Sequence, residues 1–358
     1  MFRFRSSRAP RLAAALTSTA LLLVTATACG GDDSGSDASD AGAEASSSAD
    51  SAFPVTIAHK YGSTTIKSEP QRIVTVGLTD QDAVLALGKV PVGTTEWLGG
   101  YKGAVGPWAA DKLGSTAAPT VLKDTGTGPQ VEKIAALKPD LILAVYGGLT
   151  KEQYTSLSAF APVVAQPKQY NDYGVPWQEQ AETIGKALGE PEEAATAVKE
   201  TEDRIAAAVA EHPEFKGASA VMATPYEGIF VFGSQDPRSH LLTDLGFTLP
   251  ADLDKVIGDQ FGANISKERT DLLDQDALVW QVGDVTKDAD KLHKDASYKD
   301  LNVVKQGREV YVNETSDYGN ALSMGTVLSL RYVIERLVPQ LAAAVDGKAD
   351  TKVEQPAS

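Results

Sequence analysis

Apolar and small residues recur at spacings of three and four between Pro191 and Glu211, and this period predicts one long amphipathic helix. The predicted buried stripe consists of Ala194, Val198, Thr201, Ile205 and Ala208. Pro191 suits the first helical position, where its missing N–H is not needed, and Pro213 ends the helix. Its 21 residues span roughly 30 Å, the diameter of a small domain. We therefore predict a helix that joins two lobes. The alternative is a surface helix of one large domain.

A helix followed by a fully apolar strand occurs once on each side of this long helix. In the first half the strand is Leu141–Val145, and the segment Leu137–Ala144 lines up with Leu273–Trp280 in the second half. Strands with two apolar faces are typical of parallel sheets covered by helices, whose ligands bind beyond the carboxyl ends of the strands. The predicted fold class is α/β, with two Rossmann-like lobes joined by the long helix and a ligand cleft between them. Tyr146 and Trp280 then face the cleft, and the alternative for each aromatic ring is a place in the core.

The first 28 residues have the pattern of an export signal, with arginines at positions 3, 5, 8 and 11 before an apolar run. Small residues precede Cys29, the one cysteine of the chain, as in a lipobox. Residues 29–52 are acidic and lack large apolar side chains, so we predict a lipidated flexible tether. The two acyl chains of a diacylglyceryl group suffice for a stable anchor on the extracytoplasmic face of the cell membrane. The alternative is a plain secretory signal.

The remaining chain has the length of two ordinary domains. We predict an N-terminal lobe over 53–172, connecting helices over 173–212, a C-terminal lobe over 213–345 and a disordered tail over 346–358. The last helix of the second lobe is predicted to run from Ala321 to Val345. A net charge of −15 argues against nucleic acid as a partner, because that requires a basic surface.

Catalytic and metal-binding motifs are not evident in the sequence. There is no GxSxG motif, and the only cysteine belongs to the lipobox. His59, His212, His240 and His293 are scattered without the spacing of a zinc or manganese site. We therefore predict a binding protein without a cofactor. A metal site formed by distant histidines, an enzyme of unrecognised type and a purely structural cell-surface lipoprotein stay open as alternatives.

Several stretches resemble the substrate-binding lipoproteins of ABC importers for iron–siderophores, a family that also includes cobalamin binders. The similar segments are PQRIVTVGLTDQDAVLALG, VEKIAALKPDLILAVYGG, GSQDPRSHLLTDLGF, ISKERTDLLDQDAL and YGNALSMGTV. The resemblance implies a monomer that carries its ligand to an ABC permease. It also implies that Glu132 and Asp236 pair with arginines of the permease, although glutamate is usual at the second position. An alternative for both carboxylates is stabilisation of a helix start. Tyr146 and Tyr318 resemble pocket aromatics of hydroxamate binders.

The cargo is predicted from the balance of aromatic and basic residues near the expected cleft. The candidate cations are Lys123, Arg238 and Arg269, and the more numerous aromatics are Trp97, Tyr101, Trp108, Tyr146, Phe261, Trp280 and Tyr318. A siderophore supplies the oxygen ligands that iron(III) prefers, so the protein needs to recognise only the chelate. A tris-catecholate complex with about three negative charges would require a cluster of cations. We predict a ferric hydroxamate such as ferrioxamine. Cobalamin, haem, ferric citrate and a catecholate remain alternatives.

Overall fold

A computed structural model describes residues 52–123, 128–348 and 350–354. The predicted signal, its Cys29 and nearly all of the predicted tether lie outside the described residues. Within the described ranges, no helix combines the length and the apolar character that crossing a membrane requires.

The described strands form a hairpin and two larger sheets. The strands are β1 (Val55–His59), β2 (Gly62–Ile66), β3 (Ile73–Thr75), β4 (Gly93–Glu96), β5 (Thr120–Lys123), β6 (Leu141–Ala144), β7 (Val163–Ala165), β8 (Ala220–Thr224), β9 (Ile229–Phe232), β10 (Gly262–Ile265), β11 (Ala277–Val282) and β12 (Glu309–Asn313).

Helices connect these strands and cover both faces of each larger sheet. The α-helices are α1 (Asp80–Ala86), α2 (Val131–Ala136), α3 (Lys151–Ser158), α4 (Trp177–Leu188), α5 (Pro191–Glu211), α6 (Pro237–Asp244), α7 (Leu253–Ile257), α8 (Val285–Leu292), α9 (Asn302–Lys305), α10 (Asp317–Met324) and α11 (Ser329–Ala344). Short 3-10 helices cover Lys102–Ala104, Pro107–Leu113, Pro213–Phe215 and Lys267–Leu273.

The two larger sheets have equivalent strand orders. The first is β5-β4-β3-β6-β7 and is parallel throughout, and the second is β10-β9-β8-β11-β12. In the second sheet only β9 runs antiparallel to its neighbours. The matched segments of the sequence therefore occupy equivalent places, with β6 beside β3 and β11 beside β8. The predicted α/β fold with two Rossmann-like lobes is confirmed.

The long helix begins and ends at the predicted residues. Its buried residues are Ala194, Val198, Thr201, Ile205 and Ala208, as the period predicts. The helix packs against α4 and α11, and Thr201 donates a hydrogen bond to the Val327 carbonyl of the second lobe (3.1 Å). One hydrophobic core runs from Leu143 on β6, past α5, to Val279 on β11. The inner faces of both sheets thus share a single core, while each outer face has a smaller core of its own.

The end of the chain differs from the prediction in two ways. The expected single helix from Ala321 to Val345 is broken at Gly325, whose φ of 54° is left-handed, so α10 and α11 are separate. The structure also contradicts a disordered tail as far as Glu354. Val353 packs against the shared core, and the Gln340 side chain donates a hydrogen bond to the Glu354 carbonyl (3.1 Å).

Candidate ligand-binding cleft

Aromatic side chains of the two lobes meet where β6 ends. The Tyr146 ring lies 6.1 Å from the Tyr173 ring, which in turn lies 6.2 Å from Phe261 of the second lobe, both edge to face. Tyr146 and Tyr173 belong to the first lobe, and Tyr146 also interacts electrostatically with Arg238 of the second. We call these four residues the cleft floor. The partly exposed rings of Tyr173 and Phe261 offer packing surface to a bulky ligand, whereas the Tyr146 ring is 4% exposed and also belongs to the shared core.

A buried carboxylate fixes the backbone that carries Tyr146. Asp80, at the start of α1, accepts hydrogen bonds from the backbone N–H groups of Val145 (2.8 Å) and Tyr146 (3.0 Å). Gln180 on α4 donates to the same carboxylate (2.8 Å). Burial raises the pKa of Asp80, although these three bonds oppose the increase. The Tyr146 phenol stays a protonated donor, because burial and the nearby Asp236 charge both raise its pKa.

Arg238 forms an ion pair with Asp236 at the start of α6. Its Nε and one terminal nitrogen donate to the two carboxylate oxygens at 2.7 and 2.8 Å. The other terminal nitrogen donates to Gln281 (3.1 Å), and the guanidinium lies 3.7 Å from the centroid of the Phe232 ring. Asp236 is only 1% exposed and also caps α6 by accepting the Arg238 backbone N–H. The cation of the cleft floor is therefore already neutralised by its neighbour.

A cavity of the first lobe adjoins the cleft floor. Its lining includes Lys123, Gln130, Gly148, Gln153 and Tyr173. A Cβ atom on Gly148 would come within 3.1 Å of the Tyr173 hydroxyl, so glycine permits this close approach. The Lys123 side chain is exposed and lies 3.9 Å from Glu96. Residues 124–127, which follow Lys123, are outside the described residues.

The glycine-rich loop after β4 reaches the second lobe. The Tyr101 hydroxyl donates to Asp317 (2.7 Å) and accepts from Asn320 (3.0 Å), both on α10. Burial, followed by the bond to Asp317, raises the pKa of Tyr101 to about 12. Trp97 is half-buried and lines a small pocket with Tyr101 and Trp108. These three predicted aromatics therefore lie together beside the contact between the lobes.

A second contact joins the lobes at the other end of α10. Asp82 on α1 accepts hydrogen bonds from the Trp108 indole (2.8 Å) and the Thr326 hydroxyl (2.5 Å) on one oxygen, Oδ2. Its other oxygen, Oδ1, is buried without a protein partner. Burial raises the pKa of Asp82 to about 6, and the two hydrogen bonds limit the increase.

The prediction that Trp280 faces the cleft is wrong. Its side chain is 0% exposed in the outer core of the second lobe, where its indole N–H donates to the Tyr298 hydroxyl (2.7 Å). Successive strand residues point to opposite faces, so Gln281 takes the inner side instead. Gln281 donates to Ser323 (3.0 Å) on α10 and accepts from Arg238. β11 is apolar on both faces except at Gln281, so its sequence does not indicate which face is inward.

Two further predicted residues, Tyr318 and Arg269, have partners of their own. Tyr318 is buried between α10 and α11, where its hydroxyl donates to Gln340 (2.9 Å), so it packs the core and does not line the cleft. The Arg269 guanidinium pairs with Asp271 (3.0 Å) and lies 3.9 Å from Asp252, all within the second lobe. The charge of Arg269 is therefore compensated by carboxylates of its own lobe. Tyr173, Gln281 and Asp82, which the structure places at or beside the contact between the lobes, were not among the predicted site residues.

The two predicted docking carboxylates differ in accessibility. Asp236 cannot meet an arginine of another protein, because it is buried and bonded to Arg238. Glu132 is exposed in the first turn of α2, and its docking role stays a prediction. Among the described residues, no group of three or more His, Cys, Asp and Glu side chains is placed to hold a metal ion.

Comparisons with known proteins place the chain among two-lobed binding proteins. Residues 73–314 match the model of a family described as periplasmic binding protein. A periplasmic solute-binding protein of Mycobacterium smegmatis is 34% identical, with a TM-score of 0.71 over 81% of this chain and 98% of that one. Streptococcus pneumoniae PiaA in complex with ferrichrome is 30% identical, with a TM-score of 0.74 over 82% and 99%.

Another relative is named for a different ferric chelate. The Fe(3+) dicitrate-binding periplasmic protein FecB of Escherichia coli is 29% identical over 210 residues. That alignment covers 56% of this chain and 64% of FecB, slightly less than two thirds of its length.

Proposed function

Because the chain belongs to the periplasmic binding protein family, we propose that it is an extracytoplasmic receptor that binds a ferric siderophore and delivers it to an ABC permease. The observation that carries the proposal is the cleft floor, where Tyr146 and Tyr173 of one lobe meet Phe261 and Arg238 of the other. Ligands of two-lobed α/β proteins bind at such a junction beyond the strand ends. The similarity to PiaA, crystallised with ferrichrome, supports the same class of cargo.

The proposed receptor recognises a chelate and does not coordinate the iron. Its cleft floor presents rings and N–H or O–H donors, which suit the outer surface of a metal complex. The iron is cargo, and the siderophore supplies its oxygen ligands. Binding and delivery involve no covalent step, so the protein acts as a carrier and not as an enzyme.

The proposed cargo is a ferric hydroxamate, such as ferrioxamine or ferrichrome. The charge of Arg238 is compensated by Asp236, and that of Arg269 by Asp271. A complex with about three negative charges would lose its hydration at the cleft floor, where the charge of Arg238 is already compensated. An uncharged tris-hydroxamate complex avoids this cost and gains from the aromatic rings. Ferric citrate is the second candidate, because FecB is similar over 210 residues.

Delivery requires an anchor and a docking surface. We assign the anchor to a lipid on Cys29 and one docking contact to the exposed Glu132, with the receptor acting as a monomer. In this proposal Glu132 pairs with an arginine of the permease. Asp236 has no part in docking, since it is buried.

The test is a fluorescence titration of the purified protein, in which a coloured ferric complex quenches Trp97 and Trp108 beside the cleft. We would compare ferrichrome, ferrioxamine, ferric citrate, a ferric catecholate, haem and cobalamin, with the iron-free chelators as controls. Saturable one-to-one quenching by the hydroxamates supports the proposal. Tight binding of ferric citrate or the catecholate alone would overturn the hydroxamate assignment. No saturable binding of any of these ligands would overturn the receptor function.

A further inference from the structure

In the ion pair at the cleft floor, Arg238 keeps free hydrogen-bond donors while Asp236 compensates its charge. A guanidinium has five N–H donors, and three are used by the two oxygens of Asp236 and by Gln281. Two donors are therefore left for a ligand. The Arg238 side chain is 11% exposed, and Tyr146 of the opposite lobe is close enough to interact with it electrostatically.

Asp236 holds this compensation in place. Its carboxylate is 1% exposed, accepts two bonds from the guanidinium and caps α6. Phe232 supports the guanidinium from one side at 3.7 Å. Beside the cleft floor, Lys60 is likewise paired with Asp172 (2.6 Å), the residue before Tyr173. Arg238 and Lys60 thus each pair with a neighbouring carboxylate.

We propose that Asp236 determines which charge class of ferric chelate the cleft accepts. By neutralising Arg238, it lets the two remaining N–H donors bind the oxygens of an uncharged tris-hydroxamate complex. The same carboxylate repels the anionic complexes of citrate and catechols, for which an uncompensated arginine would be favourable. This inference rests on the proposed function and names the residue that sets its selectivity.

The test is the substitution Asp236→Asn, with affinities for ferrichrome and for a ferric tris-catecholate measured side by side. Asparagine is also a good N-cap, so its side-chain oxygen can still accept the Arg238 backbone N–H. The ratio of the two affinities is expected to shift toward the anionic complex by about tenfold or more, because one unit charge acts at short range in a partly buried site. Asp236→Ser, a second uncharged N-cap, should shift the ratio in the same direction if the asparagine variant folds poorly.

Asp284→Asn is the matched control. Asp284 caps α8 in the same lobe and pairs with Lys287 (2.8 Å), but it is far more exposed than Asp236. Its substitution should leave the affinity ratio within about twofold of the unchanged protein, since exposed pairs are well screened. Adding Arg238→Gln to Asp236→Asn should remove the gain for the anionic complex.

The outcomes separate this inference from the proposed function. If the unchanged protein binds ferrichrome and both Asp236 variants keep its affinity ratio, the selectivity role is refuted while the receptor function stands. If the unchanged protein binds none of the chelates, the receptor function itself is refuted. The inference would also be refuted if Asp236→Asn increased the affinity for the anionic complex equally with and without Arg238, because the uncompensated charge of Arg238 would then not be the cause.

Discussion

Replacing Asp82 by asparagine should stabilise the protein at neutral and alkaline pH. Asp82 accepts both of its hydrogen bonds, from Trp108 and Thr326, on Oδ2, while Oδ1 has no protein partner. The amide oxygen of asparagine can take the place of Oδ2, and its uncharged NH₂ group takes the place of Oδ1. The variant therefore mimics the protonated carboxyl and keeps the contact between the lobes.

The size of the effect follows from the pKa of Asp82. Burial raises that pKa from 3.8 to about 6, so the folded protein binds the proton more tightly than the unfolded chain. The difference corresponds to about 3 kcal/mol. By linkage, the stabilising contribution of the protonated form is fully present below pH 3.8, is lost as the pH rises to about 6 and is absent above it. At pH 8 the asparagine variant should gain up to about 3 kcal/mol, less the cost of its unpaired NH₂ group.

The assay is urea denaturation of both proteins at pH 5 and pH 8, followed by far-UV circular dichroism. The advantage of Asp82→Asn should be larger at pH 8 than at pH 5. Asp80 also has a raised pKa and titrates in both proteins, so the comparison uses the difference between them. A variant that is less stable at pH 8, or an advantage that does not change with pH, would show that the hydrogen bonds fully compensate the buried charge.

Three further predictions test other parts of the structure. Gly325→Ala should lower the free energy of unfolding by about 1 kcal/mol or more relative to Gly347→Ala. Both glycines have a left-handed φ, but only a Cβ at position 325 would contact another residue, Pro237, at 2.8 Å. Equal losses of stability in thermal melts would contradict this. Trp280→Phe should lower the free energy of unfolding by about 1–2 kcal/mol through the lost bond to Tyr298 and leave chelate affinity unchanged. Weaker chelate binding in the titration would show that Trp280 contacts the ligand. Glu132→Gln should reduce iron uptake by cells without changing affinity in solution, and normal uptake would refute the docking role.

The repeated helix–strand pattern and the stripe of α5 were predictable because long periodic segments fold alike in many contexts. The period of three and four predicted all five buried residues of α5. The alignment of Leu137–Ala144 with Leu273–Trp280 predicted two lobes of similar plan, and their sheets have equivalent strand orders. Periodicity depends only on local geometry, so the sequence carries it directly.

The residues of the cleft floor were harder to predict because they depend on details one or two positions apart. A shift of one residue along a strand exchanges its faces, and so Gln281 lies at the site instead of Trp280. Asp236 and Arg238 pair because the backbone at the start of α6 brings their side chains together. Their separation of two residues in the sequence did not predict this contact. Tyr173 comes from a connection between strand and helix with no periodic pattern, where it adopts a left-handed φ of 64°.

The core shared by the two sheets has a consequence for how the protein folds and for how it could have evolved. Because Leu143 and Val279 belong to one continuous apolar cluster, either half synthesised alone would expose the face that the other half covers. Thermal unfolding of the intact protein should then be a single cooperative transition. If the equivalent sheets descend from a duplicated gene, the ancestral unit would have needed a second copy of itself to bury the inner face of its sheet. The long helix α5 would then have replaced the association of two chains by a covalent connection.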